Sequence, residues 1–430
     1  MKGTEVIAQA LKHSADRWYG VPGYPVTGLL ELTGAETVIN EKVAVEYAIG
    51  ESLSGRRAAV ILKNVGLNAC ADPFVEATTQ GLISGIVIVA GDDPLAAGSQ
   101  NAQDSRYYGE LAEVPVIEPG PWNAARAVEE AFRASEQFSR ISLLRLTPGL
   151  LSMDVSAGNV ERCNGKGSVT PGEFTMRGRV QLARNRLRQM QDWSEHSSLN
   201  IIRGSRVVAG AAEIPATWPS GQVSRVSTVY PPPDVSGECR DVCEEGRHFL
   251  DEHIGMGSPG IEEPERYRTR GYYRSFCRDC PYLPLMHALE KKNLPVVCDA
   301  GCCVLCMNDP FTIGRVSYGM GSSIAIAARS TGVALTGDYA LLHSGMPALI
   351  DVFEKKLPLL CIVMKNECMA MTGGQGAYDI TPYIAWAEPV NYRADEIDSV
   401  CDTLTMPESP AVIVIEGKCP EGRHHETVEC

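Results

Sequence analysis

The stretch LTGDYALLHSGMPALIDVFEKKLPLLCIVMKNE, residues 335–367, reads as strand, Gly-Asp, helix, strand, Asn. An apolar run stops at Gly337-Asp338. GMPALIDVFEKK (345–356) then has helical periodicity, and LPLLCIVMKN (357–366) is a second strand. In doubly wound sheets, ligands bind beyond the carboxyl ends of the strands. Asp338 and Asn366 both stand there. A carboxylate and a carboxamide are hard oxygen donors that suit Mg2+, whose shell is usually completed by phosphate oxygens and water. The helix expected from about Leu342 offers N–H groups for those phosphates. The same pattern is also that of an N-capping Asp and a turn Asn.

Outward from this unit the alternation continues. LPVVCDAG (294–301), GVALTGD (332–338) and PAVIVIEGK (410–418) read as strands, and GSSIAIAARS (321–330) as a helix. Residues 1–150 repeat the pattern. RAAVILKN (57–64), GIVIVAGDDP (85–94) and RISLLRLTP (140–148) are strand-like, separated by helical runs near 3–15, 41–54, 68–81 and 122–135. Alternation of this kind predicts parallel sheets covered on both faces. Residues 151–270 differ: they are turn-rich (TWPSGQ, VYPPPDVSG), with a basic helix at 177–191 and short strands at 199–209 and 222–229. The expected architecture is α/β, with domains at 1–150 and 271–430 joined by a reduced middle segment at 151–270.

A net charge of −14 argues against nucleic acid as a partner. The longest apolar run, GLISGIVIVAG (81–91), is too short to span a bilayer, and the first residues read as an amphipathic helix rather than a leader. A cytoplasmic protein is expected, with no membrane partner. In that setting fifteen cysteines suggest metal or redox use. Only Cys70 lies in the first 150 residues, whereas Cys277, Cys280, Cys298, Cys302, Cys303 and Cys306 crowd into thirty.

NEKVAVEYAIGESLSG (40–55) is a second helix with a polar residue at its head, Glu41, followed by Ala44 at +3 and Gly50 at +9. An acid there is ordinarily a favourable first-turn charge. Together with Gly337-Asp338…Asn366 this spacing resembles the thiamine diphosphate enzymes. The longer motifs NEKVAVEYAIGESLSGRRAAVILKNVGLN, SQNAQDSRYYG and MAMTGGQ resemble one branch of the 2-oxoacid:ferredoxin oxidoreductases, the large subunit of the indolepyruvate type. The resemblance covers 1–150 and 271–420 well and the middle segment weakly. It implies two thiamine diphosphate-binding domains, one for the pyrimidine and one for the diphosphate. Glu41 would bond a pyrimidine nitrogen and favour the tautomer that removes the C2 proton. Asp338, Asn366 and the Cys368 carbonyl would hold Mg2+, with Gly337 beside them, and Met320 would wedge the cofactor into its bent form. Thr27, in YPVT (24–27), would meet the substrate carboxylate, with Arg106 a second anchor and Asn64 where relatives carry His.

The resemblance also implies a [4Fe–4S] cluster on Cys277, Cys280, Cys302 and Cys419. Zinc on Cys277, Cys280, Cys303 and Cys306 and unliganded thiols remain alternatives, and pattern does not separate Cys302 from Cys303. The chain departs from its relatives in places. CRDCPYL (277–283) replaces a Cys-Pro-Gly-Cys-Pro-His-Arg run, Glu367 and Cys368 replace Arg and Thr, and the family's ferredoxin-like domain has no counterpart in these residues. The expected function is oxidative decarboxylation of a 2-oxo acid. The expected partners are coenzyme A, a small γ-type second subunit and external ferredoxin, in a dimer or heterotetramer. A non-redox decarboxylase or carboligase is the alternative.

Overall fold

Each apolar run that ends at a polar pair is a strand of one of two parallel sheets. The computed structural model describes residues 1–158, 160–199, 201–202, 207–209, 225–227, 229–230, 261–397, 401, 404–420 and 425–430. Much of the middle segment, including 231–260, lies outside the described residues. The chain divides into two compact units. One is Met1–Thr170 with Arg177–Pro264, the other Pro171–Met176 with Glu265–Cys430.

In the first unit β1 (Arg17–Gly20), β2 (Glu36–Thr37), β3 (Ala58–Lys63), β4 (Ile86–Gly91), β5 (Val116–Ile117) and β6 (Ser142–Leu146) run parallel, in the order β5-β6-β4-β3-β1-β2. Val229–Tyr230 adds an antiparallel edge strand beside β5. Alternate residues of a strand face opposite sides. Ala59, Ile61, Val87 and Val89 therefore join one core with α1 (Gly3–Ser14), α2 (Thr27–Thr33) and Ala124–Phe138. The opposite face carries α3 (Glu41–Leu53) and Ala71–Gln80. Burial on both faces explains why AAVIL and IVIVA are unbroken apolar runs. In the middle segment, Ile201–Ile202, Val207–Ala209 and Arg225–Ser227 form a small separate sheet, and the basic helix runs from Met176 to His196.

In the second unit β7 (Val296–Cys298), β8 (Gly314–Val316), β9 (Val333–Gly337), β10 (Leu360–Lys365), β11 (Val390–Arg393) and β12 (Ala411–Glu416) form a wholly parallel sheet, in the order β8-β7-β9-β10-β12-β11. Val333, Leu335, Leu360, Ile362, Met364, Ile413 and Ile415 pack on Leu285 and Leu289 of one flanking helix. Ser323–Ala328 and Met346–Glu354 pack together elsewhere in this unit, the first of them against β7 and β9.

The helix after β9 begins at Asp338 itself, a turn earlier than expected. It passes through a π turn at Leu341–Gly345 into Met346–Glu354. Such turns are frequent at functional sites. Both sheets therefore direct the ends of their strands at loops that carry polar residues. Among the described residues no helix is long and apolar enough to cross a membrane.

Candidate cofactor site

Strand register brings Asp338 and Asn366 together. Gly337 pairs with Met364, so β9 and β10 end side by side. Asp338 is 2% exposed. Its carboxylate accepts from the backbone N–H of Tyr339 (2.7 Å), Asn366 (3.0 Å) and Glu367 (2.6 Å). Burial raises its pKa, opposed by those three N–H groups. Glu367 has φ 53°, a left-handed conformation rare outside glycine, which turns two successive N–H groups toward one oxygen. The Asn366 carboxamide oxygen accepts from Cys368 N–H at 3.2 Å.

A second carboxylate, not singled out in the sequence reading, organises the neighbouring turn. Asp299 follows β7 and is fully buried. It accepts from Gly321 N–H (2.5 Å), Ala300 N–H (3.0 Å), Ser323 Oγ (3.0 Å) and Thr336 Oγ1 (2.8 Å). Gly319 and Gly321 have φ of 113° and 75°, so the chain can double back around Met320. Met320 is partly exposed there, and its carbonyl accepts from Ser344 Oγ. The signal for Asp299 was available: VVCDAG is another strand ending in an acid.

The cysteines separate into two groups. Cys303 and Cys306 are buried in the apolar core with Cys298, where the Cys298 and Cys306 sulfurs stand 3.3 Å apart. Cys302 is half-buried and packs against the edge of that core, as does Cys280. Burial first, and then neighbouring Cys419, Cys280, Cys277 and Cys368, push the Cys302 thiol up to about 12. Burial, then Cys277 and Cys419, push Cys280 up to about 11. Backbone contacts assemble this second group. Cys280 N–H bonds the Cys277 carbonyl at 3.0 Å, and Tyr282 OH donates to the Gly417 carbonyl at 3.1 Å. A Cβ on Gly417 would stand 2.9 Å from Pro281 Cβ, so only glycine lets the loop before Cys419 approach Cys280-Pro281 this closely. Asn366 Nδ2 donates to Cys419 Sγ at 3.1 Å, and His425 Nε2 lies 3.6 Å from Cys302 Sγ. Among the described residues no three His, Cys, Asp or Glu side chains form a site for a single metal ion.

In the first unit the ends of β1, β3 and β4 carry the remaining candidates. Asn40 caps α3 by accepting from Val43 N–H at 2.9 Å, and Glu41 is the first helical residue. Its carboxyl lies over Gly66: a Cβ there would be 2.8 Å from Oε1. Thr27 is exposed at the start of α2. Lys63 lays its stem against Gly23, in the turn leading to Thr27, and its ammonium bonds the Gln100 carboxamide. Asn64 is fully buried. Its side chain accepts from Val65 N–H at 2.8 Å and donates to the Gln103 carbonyl at 3.3 Å. Arg106 is gripped by the Asp104 carboxylate, with Nε 2.9 and 3.0 Å from its two oxygens. The structure thus brings Glu41 to Gly66 and Thr27 to an open edge. It engages Asn64 and Arg106 in holding the loop after β4.

Residues 299–395 match the family described as "Thiamine pyrophosphate enzyme, C-terminal TPP binding domain". The chain is similar to the indolepyruvate oxidoreductase subunit IorA of Methanothermobacter thermautotrophicus, at 26% identity over 82% of this chain and 71% of that one. The subunit of the same name from Thermococcus kodakarensis is 26% identical over 87% of this chain and 75% of that one. Among solved structures, the fold is shared with a putative thiamin diphosphate-dependent enzyme from Mycobacterium smegmatis (TM-score 0.59, 16% identity, 97% of this chain and 100% of that one). It is also shared with the thiamine diphosphate-dependent 4-hydroxybenzoylformate decarboxylase of Rhodococcus jostii (TM-score 0.57, 13% identity, 98% and 100%).

Proposed function

Since this chain is a thiamine diphosphate-dependent enzyme resembling the large subunit of the indolepyruvate oxidoreductases, we propose that it decarboxylates a 2-oxo acid oxidatively and passes the electrons to an iron–sulfur centre. Bound thiamine diphosphate supplies the electron sink for the pair left on the keto carbon as CO2 departs. The donor set of the second unit fits its Mg-diphosphate end. Asp338 and Asn366 are paired oxygen ligands at adjacent strand ends, and the helix starting at Asp338 presents N–H groups beside them. Asp338, Asn366 and the Cys368 carbonyl would hold Mg2+, beside Gly337, and Met320, on its pinned turn, would stand against the cofactor. Glu41 would offer its carboxyl to a ring nitrogen of the pyrimidine and so hold or move a proton there.

Thr27 offers its hydroxyl to the substrate carboxylate. Arg106 and Asn64 act on the substrate by fixing the loop that borders it. Cys277, Cys280, Cys302 and Cys419 would hold a [4Fe–4S] cluster, which would supply one-electron chemistry. External ferredoxin receives them, coenzyme A accepts the acyl group, and a small second subunit completes a dimer or heterotetramer. The cytoplasm, where thiols stay reduced, suits such a set.

What supports the reading is that Cys277, Cys280, Cys302 and Cys419 all belong to the unit that carries Asp338 and Asn366, with Asn366 Nδ2 3.1 Å from Cys419 Sγ. Anaerobically purified protein is expected to be brown, with about four irons and matching sulfide per chain. A colourless, iron-free protein that still decarboxylates 2-oxo acids would overturn the redox half and leave a simple decarboxylase or carboligase. Glu41→Ala is expected to abolish C2-proton exchange of added thiamine diphosphate; unchanged exchange would refute the role given to Glu41.

A further inference from the structure

Asn366 has two faces. Its backbone N–H donates to Asp338 at 3.0 Å. Its carboxamide oxygen accepts from the backbone N–H of Cys368 at 3.2 Å, and its Nδ2 lies 3.1 Å from Cys419 Sγ. A backbone N–H can only donate, so the atom facing Cys368 must be the oxygen. The NH2 group is then the one that meets sulfur. β10 and β12 keep this arrangement in register: Lys365 pairs with Glu416, Gly417 N–H bonds the Lys365 carbonyl at 3.0 Å, and Cys419 follows two residues later. One short side chain thus joins the end of the Gly-Asp…Asn unit to one of the gathered cysteines.

Building on the function proposed above, we infer that Asn366 is a positioning residue that couples Mg-diphosphate binding to the electron affinity of the centre held by Cys419. The physical basis is ordinary. A hydrogen bond to a cluster-ligating sulfur stabilises the reduced, more negative state and raises the reduction potential. Mg2+ on the carboxamide oxygen draws electron density from the amide, which makes its N–H a stronger donor. Binding of the cofactor would then prepare the one-electron acceptor before any electrons are released. The arrangement also fixes Cys419 among the four cysteines as the one through which the cofactor is sensed.

The test is a potentiometric titration of the iron-loaded protein, followed by the spin resonance signal of its reduced cluster. It is run bare, with Mg2+ alone, with thiamine diphosphate alone, and with both. The midpoint is expected to rise only with both. Asn366→Asp retains an oxygen ligand but has no N–H to donate. Its Mg2+ and thiamine diphosphate binding is measured first, by quenching of tryptophan fluorescence, and at saturating concentrations of both it is expected to show a lowered midpoint that no longer responds to them. A wild-type midpoint indifferent to the cofactor, or an Asn366→Asp midpoint that still responds, would overturn the coupling alone. Failure of the variant to fold leaves the wild-type titration decisive. A protein that takes up no iron would overturn both the coupling and the iron–sulfur reading, so the two failures are told apart by iron content.

Discussion

At position 66 a single methyl group decides whether Glu41 can stand where it does. The carboxyl of Glu41 occupies the space a Cβ would fill, 2.8 Å away. Gly66→Ala must push that carboxyl aside or shift the chain behind it. A displacement of about 1 Å at a reacting group costs on the order of 10²-fold in rate. C2-proton exchange is therefore expected to fall by about that factor, while circular dichroism and the melting temperature stay near wild type. Glu41 itself was visible in the sequence through its +3 and +9 partners, but Gly66 was not. Nothing in VGLN says which side chain will lie across it; that depends on α3 folding back over the end of β3. Arg106, a candidate second anchor for the substrate carboxylate, has its Nε bonded to the Asp104 carboxylate two residues away.

At the scale of the element, the short 3-10 helix Cys302–Met307 sorts the cysteines. With three residues per turn, Cys303 and Cys306 eclipse each other and both enter the core. Spacing had offered them as zinc ligands with Cys277 and Cys280 only as one alternative to an iron–sulfur cluster or unliganded thiols, and had not separated Cys302 from Cys303. Cys302→Ser is expected to lower iron content sharply with little change in stability. Cys303→Ser should keep the iron and destabilise the fold by about 1–3 kcal/mol, the cost of a hydroxyl in an apolar core. Equal iron loss in both variants would contradict this assignment. The gathered thiols also predict a pH effect in metal-free protein. Burial first and neighbouring thiols second push Cys280 up to about 11 and Cys302 up to about 12, from an ordinary 9.0. The folded state then holds these protons more tightly than the unfolded chain. Their contribution is complete below about pH 9 and is lost as pH rises through about 11–12. Urea midpoints of the metal-free chain should fall across that window, and Cys280→Ala should flatten the fall.

For the whole molecule, the candidate residues for the two ends of the cofactor lie on different units: Glu41 on the first, Asp338 and Asn366 on the second. A ligand bound by the folded chain alone stabilises it by RT ln(1 + [L]/Kd), about 2.7 kcal/mol at a hundredfold excess over Kd. Mg2+ and thiamine diphosphate together are expected to raise the melting temperature by several degrees, and either alone by much less. Asp338→Ala should remove the joint effect; a full shift in that variant would argue against the clamp. Sequence alone was sufficient for the α/β class, the parallel strands and the ends at which polar residues collect, because hydrophobic period and strand-end punctuation are local properties. The same holds for Gly337-Asp338…Asn366, whose members are joined by one helix. Tertiary structure decided what depends on packing between distant segments: that Asp299 pins the turn at Met320, that Gly417 lets Cys419 approach Cys280, and that Asn366 faces a sulfur 53 residues away in the chain. Those contacts follow from the register of β7, β9, β10 and β12, and no single stretch of sequence encodes register between strands that are not neighbours in the chain.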